Sequence, residues 1–246
     1  NHGSTATSDA SRYSSASSGA DRGSDATATG SRGSDATSVA TRGSDSNAVA
    51  STGSSATSQA NNHSSSTAGA TGHSDATSTA DHRSNASAVA SQASSASSKA
   101  DQWSNAQSAG SGGSTALAQA SDHSTAQTAA VQSSQGSSIA ADHSQSAADA
   151  TNHSGSRAVS SNYGQATSGA TNWSTTSAAA TGHSASDSIA RNHSSSISAA
   201  SDGSTASANA DHHSTTQAMG QDHSIAQATA NWWSTASSDA SDHSAA

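Results

Sequence analysis

"STATSDA", Ser4 to Ala10, decides the fold. Ser4, Ala6, Ser8 and Ala10 are small, and the residues between them, Thr5, Thr7 and Asp9, are polar and larger. That is a period of two, the period of a strand, whose side chains point alternately to opposite faces. Written in rows of ten, the whole chain from Asn1 to Ala246 falls into this register, giving about 25 rows. The fourth residue of each complete row is Ser, except at Gly164. The tenth is Ala, except at Gly30, Gly110, Gly220 and Ser160. The sixth is Ala, Ser, Thr or Gly, and the eighth is Ser, Ala or Thr. The first three places hold larger polar residues, with an occasional Trp or Tyr. A period this persistent predicts one tandem-repeat domain over 1–246, with no visible capping segment.

A helix is the rival, because Ala favours it. A ten-residue repeat turns a helical stripe off its face, whereas a repeat near eleven would hold it. Abundant Ser and Thr also weaken helices. Each row therefore predicts a strand of about seven residues, Ser4 to Ala10 in the first, and a turn of about three. Stacked rows predict an all-β fold, a repetitive β-solenoid with a tight Ser/Ala core. Ser4, Ala6, Ala10, Ser34, Ala36, Ala40, Ser74, Ala76, Ala80, Ser124 and Ala126 exemplify the inward set. Side chains this short let two sheets approach closer than the usual ~10 Å. The few larger apolar residues, such as Val39, Val49, Leu117, Ile139, Ile189 and Met219, fall on outward places.

The eighth place alternates between Ser and Ala from Ser18 through Ala28, Ser38 and onward to Ser98. The alternation predicts two rows, about twenty residues, per coil. Twelve such coils would make a rod roughly 60 Å long at ~4.8 Å per coil. A ten-residue coil would force a corner into each strand.

Composition read without the period would mislead. Hydrophobic residues are 30% of the chain, and most are Ala. By the usual rule such a chain stays disordered. Disorder does not require a small residue at alternate places, nor does it explain the absence of Pro, which strand ladders exclude. A net charge of −9 with only 8 Lys plus Arg argues against a nucleic-acid partner. No apolar run reaches membrane-spanning length, so no membrane partner is expected. The absence of Cys removes disulfides and thiolate metal sites. A start at Asn1 without Met fits either a processed product, as after signal-peptide removal, or a fragment, and an extracellular location is expected. Sequons at Asn62, Asn85, Asn152, Asn172 and Asn192 would matter only in a eukaryotic secretory pathway.

Asp122-His123-Ser124 has the residue types of a hydrolytic triad, and it recurs at 142–144, 222–224 and 242–244. Adjacent residues diverge and cannot form one, because the imidazole must meet the nucleophile and the carboxylate on different nitrogens. No enzyme and no cofactor are expected. Most of the 13 His occupy the third place. A ridge of His123, His143, His183, His193, His213, His223 and His243 would set imidazoles at coil spacing, where Zn²⁺ or Cu²⁺ could be shared. Gly, Trp, Tyr and Arg replace His freely, so the simpler reading is a tolerant turn with no metal. Arg22, Arg32 and Arg42, each three places before Asp25, Asp35 and Asp45, predict exposed ion pairs worth ~0–1 kcal/mol.

Two functions follow from such a rod. The first is a structural subunit that polymerises end to end with copies of itself, because an uncapped solenoid leaves open strand edges. Ser174, Thr176, Ala180 and Gly182 sit two, four and two residues apart. In that spacing the chain loosely resembles the curli family of functional amyloids, with Ser and Ala in place of that family's Asn and Gln and a period of ten rather than eleven. In composition it resembles cross-β silks to a similar degree. The resemblances imply an extracellular filament. The alternative is ice binding, since insect antifreeze solenoids also have short coils and a Ser/Ala core. Their flat T-x-T arrays would correspond to Thr5 and Thr7, Thr27 and Thr29, and Thr77 and Thr79, with Thr37 beside them. Asp25, Asp35, Asn85, Gln107, Gln127 and Lys99 at equivalent places would interrupt such a face.

Overall fold

The computed structural model describes residues 5–243 and residue 245. Ser4, assigned above to the core, and Ser244 of the last Asp-His-Ser copy lie outside the described residues. Among the described residues 24 strands and no helix occur, from β1 (Thr5–Ser11) and β2 (Ser15–Asp21) to β23 (Ile225–Ala230) and β24 (Thr235–Ala240). Odd-numbered strands form one 12-stranded sheet and even-numbered strands a second. Every pairing is parallel and joins rows two apart, as in Ala6 with Ala26 and Ala16 with Ala36. One coil is thus two rows, and twelve coils stack into a solenoid. The two sheets will be called the odd and even sheets. The turns leading from odd to even strands form the first edge, and the returning turns form the second.

The strand begins one residue later than its sequence suggests. Thr5–Ser11, not Ser4–Ala10, makes the ladder, and the first place of the next row extends it. The fourth-place Ser belongs to the turn. Its physical setting comes from the two residues before it, which are both left-handed in every described turn. Arg12 and Tyr13 have φ of 58° and 64°, and Trp232 and Trp233 have 49° and 61°. Gly, Asn, Asp and His gather at these places because they tolerate that region best. Thr52 does not: it is β-branched and sits at φ 57°. Thr52→Gly is therefore expected to stabilise the rod by about 1 kcal/mol, read as a higher urea midpoint. Thr52→Val is expected to show no gain.

Each turn satisfies its backbone by reaching to the next coil. In one turn, Arg32 N–H donates to Ser51 O and Gly33 N–H to Thr52 O, both at 3.1 Å. Ser34 N–H donates to the Ser54 hydroxyl at 3.1 Å, and Asp35 N–H reaches back to Ser14 O at 3.1 Å. Strand and turn amides are thus all needed, and the turn also requires positive φ. Pro satisfies neither condition, which accounts for its absence over the whole chain.

The core is as tight as its side chains allow. Ser38 Oγ, on the even sheet, donates to the backbone carbonyl of Ala26 on the odd sheet at 2.9 Å. Ser138 Oγ reaches Ala126 O in the same way at 2.6 Å. Ser46 and Ser58 join hydroxyl to hydroxyl across the gap at 2.6 Å, and Ser66 and Ser78 do likewise. A two-atom side chain on one sheet therefore touches the main chain of the other. Ala36, Ala40, Ala76, Ala80, Ala126, Ser34, Ser74 and Ser124 are buried, as is Ala10. Ala6, in the first coil, is only half-buried. The eighth-place alternation follows the two-row coil: Ser18 to Ser78 lie on the even sheet and Ala28 to Ala88 on the odd one. Val49, Ile139 and Met219 project outward.

Candidate functional site

Three kinds of surface carry the rod's distinctive chemistry: the edges, the sheet faces and the ends of the stack. Along both edges runs a buried ladder of serine hydroxyls. On the first edge it is continuous from Ser14 to Ser234, each Ser N–H donating to the hydroxyl of the Ser one coil on, as in Ser94 to Ser114 and Ser114 to Ser134 at 3.2 Å. The hydroxyls donate in turn to the first-place carbonyl three residues back, as Ser114 does to Ser111 O at 2.7 Å. On the second edge the ladder breaks at Gly164, which has no hydroxyl for Ser144 N–H. A Cβ there would lie 2.6 Å from Ser144 O and 3.0 Å from Ser160 Cβ. Ser160 is also the one Ser among the tenth places, so the two departures from the repeat occupy one packing site.

Outside each ladder stand the third-place side chains, and several runs of aromatic ones stack. On the second edge Trp103, His123, His143, Tyr163 and His183 form one run, with ring centroids 4.5, 5.1, 5.2 and 5.4 Å apart. His223 stacks on His243 further along at 5.3 Å. Trp173, His193 and His213 stack on the first edge at 4.4 and 5.1 Å. The expected His ridge is thus divided between opposite edges. His123, His143, His183, His223 and His243 lie on one, and His193 and His213 lie on the other. The rings lie nearly parallel, 5° apart for His123 and His143. Imidazole lone pairs lie in the ring plane, so face-to-face rings do not converge on a shared ion. Among the described residues no group of three His, Cys, Asp or Glu is placed to hold a metal.

The Asp-His-Ser copies separate by burial. Ser124 is 2% exposed and accepts Ser104 N–H at 3.0 Å, while His123 stacks outside between Trp103 and His143. Asp142 accepts a hydrogen bond from the Asn162 amide at 2.8 Å. The arginines also pair differently from expectation. Arg22 and Arg42 both approach Asp21, at 3.7 Å, rather than Asp25 and Asp45. Asp21 directly precedes Arg22, and it pairs in register with Thr41, the residue before Arg42.

Asp21 also accepts the Thr41 hydroxyl at 2.9 Å. That hydrogen bond first, then Arg42 and Arg22, holds its carboxyl below the usual range against the opposing effect of desolvation. A carboxyl whose folded pKa is depressed contributes stability above its unfolded pKa, and the contribution is lost as pH falls through the folded value. Asp21→Asn is expected to flatten that part of the acid dependence, checked by thermal melts at neutral pH and below the carboxylate range.

The faces carry the fifth, seventh and ninth places. The sheets divide the candidate ice-binding threonines: Thr5, Thr7, Thr27 and Thr29 are on the odd sheet, and Thr37, Thr77 and Thr79 are on the even one. On the odd sheet Thr5 is followed by Asp25, and Thr27 by Asn47. On the even sheet Thr37, Thr57 and Thr77 form one column, while Thr79 is followed by Lys99. Amide ladders recur instead, with Asn105 donating to Asn85 and Gln107 to Gln127.

Ala230 and Ala240, at a place buried in the preceding coils, are exposed, and Ala228 is half-buried. No protein-family model matches the chain, and the searches of curated proteins and of solved structures also find no match.

Proposed function

We propose that the chain is a non-enzymatic structural protein, an extracellular rod that polymerises by adding coils of one copy onto the stack of another. The observation that carries this reading is the constant 20-residue register of backbone and hydroxyl contacts. Each coil offers the next the same donors and acceptors, so the edge of β23 and β24 presents what β1 and β2 of another copy can meet. Parallel strands with every amide paired along one axis are the contact pattern of cross-β polymers. The loose resemblance to curli and silk repeats agrees with the reading. An ice-binding face draws less support, because the threonines fall on two opposite sheets and Asp25, Asn47 and Lys99 follow Thr5, Thr27 and Thr79 in their columns.

Elongation from sheared seeds tests it. Adding seeds to the 246-residue chain should abolish any lag in light scattering and lengthen the seeds at their ends. A chain that stays at 23.6 kDa with seeds at any concentration would overturn the proposal.

A further inference from the structure

The second edge changes character along its length. Its second places begin with Arg22 and Arg42 and end with Asp202, Asp222 and Asp242. All five are exposed. Among the described residues no ion pair involves the three aspartates, and they repeat at coil spacing, where like charges repel. Arg22 and Arg42 share the single carboxylate of Asp21 at 3.7 Å, which leaves most of their five-donor forks unused. Between the two charged ends lies the aromatic run from Trp103 to His183. Trp103 is 63% exposed and Tyr163 is 61% exposed. Aromatic groups left in water at the middle of a surface are the usual anchors of an interface.

We infer that this edge is a self-association surface, on which two copies lie side by side and antiparallel about a two-fold axis between His123 and His143. The pairing follows from the repeat. Reversing one rod about that point sets Arg22 against the partner's Asp242, and Arg42 against the partner's Asp222. The third places match in size as well as charge. Gly23 and Gly43 fall opposite the partner's His243 and His223, and His63 falls opposite the partner's Gly203. Trp103 meets the partner's Tyr163, and the two symmetry-related aromatic pairs flank the axis. An isologous contact must be self-complementary in this way, with each pair occurring twice. A parallel arrangement would instead set arginine on arginine and aspartate on aspartate. The unfavourable meeting is Asp122 with the partner's Asp142, next to the axis. The Asn162 amide already donates to Asp142 at 2.8 Å and softens that contact. The surface is lateral, so it does not depend on coils of separate copies stacking, and it goes beyond the end-to-end reading.

Analytical ultracentrifugation of the 246-residue chain, with charge variants and cysteine trapping, tests it. A species of twice 23.6 kDa is expected, weakening at least tenfold from low to high salt. Arg22→Asp with Arg42→Asp makes both ends of the edge acidic. Asp222→Arg with Asp242→Arg makes both basic. Each double variant alone should lose the dimer, and a one-to-one mixture should regain it. These are exposed turn positions, and an unchanged strand signal in circular dichroism verifies folding. The chain has no Cys, so single cysteines report direction cleanly. Gln102→Cys should form a disulfide with Asn162→Cys and not with itself. Filaments without the 102–162 cross-link would remove the lateral proposal and leave polymerisation standing. A cross-linked double rod that never elongates would do the reverse. A monomer at all concentrations, a dimer indifferent to charge reversal, or a 102–102 cross-link would each overturn the antiparallel edge.

Discussion

Ala126→Leu is expected to melt the rod from its middle. Ala126 lies in β13 (Thr125–Val131), is fully buried, and pairs in register with Ala106 and Ser146. From the facing strand β14 (Gln135–Ala140), the Ser138 hydroxyl touches the Ala126 carbonyl at 2.6 Å. The gap between the sheets is therefore set by a serine. Leu adds three heavy atoms where no long neighbour can swing aside to make room. Overpacking an ordinary core costs about 1–3 kcal/mol, and a core that cannot rearrange its side chains belongs at the upper end or beyond. Stability in a stacked repeat is a sum of coils and their interfaces. A wedge in a central coil thus uncouples the two halves instead of softening the whole. Hydrogen exchange should show lost protection in the coils around residue 126 first, and the melt should broaden. Gln127→Leu places the same side chain one residue on, outside the sheet, and should stay within ±0.5 kcal/mol. Ala76→Leu and exposed Asp75→Asn make the same comparison in an earlier coil. Equal tolerance of the inward and outward leucines would contradict the tight core.

Ser114→Ala is the second large effect, although it removes one oxygen and adds no bulk. The hydroxyl accepts Ser94 N–H at 3.2 Å and donates to Ser111 O at 2.7 Å. Ser94 N–H would be left without that acceptor, while Ser111 O keeps the Gln92 N–H at 3.2 Å. A buried group left unsatisfied costs about 1–3 kcal/mol, and one is created here. Ser188 provides the control. It is equally buried, but its hydroxyl has no hydrogen-bond partner among the described residues, and Ala fills the same place in many other rows. Ser188→Ala is expected to be neutral or stabilising. Urea midpoints of the two variants, measured side by side, decide the matter. Equal midpoints would mean that the fourth-place Ser is kept for its size alone.

That contrast shows what could be read from residues and what could not. The strand period, the inward set and the twenty-residue coil were all legible, because small residues at alternate places and the Ser/Ala alternation are direct consequences of packing. From sequence alone the fourth-place Ser reads as a small packing residue. Its near invariance, beside free Ser/Ala exchange at the eighth place, was the available sign that the hydroxyl itself is required. The left-handed turn was signalled by Gly, Asn, Asp and His at the second and third places, yet Arg12, Thr52 and Trp232 obscure it. Stacking against the next coil holds those residues in a region their side chains disfavour. Which edge or face a residue joins depends on the parity of its row. The histidines and threonines therefore looked like single groups until the coil divided them. The arginine pairs fall elsewhere for a related reason: sequence distance from Asp25 and Asp45 ignores the register that sets Asp21 beside Thr41 and so near Arg42.

Cryo-electron microscopy of the purified 246-residue chain in dilute buffer tests the central claim most directly. The account predicts filaments with a ~4.8 Å repeat along the axis and two parallel sheets in an unbroken 20-residue register across copies. Discrete rods of twelve coils that never join, at any concentration, would contradict it.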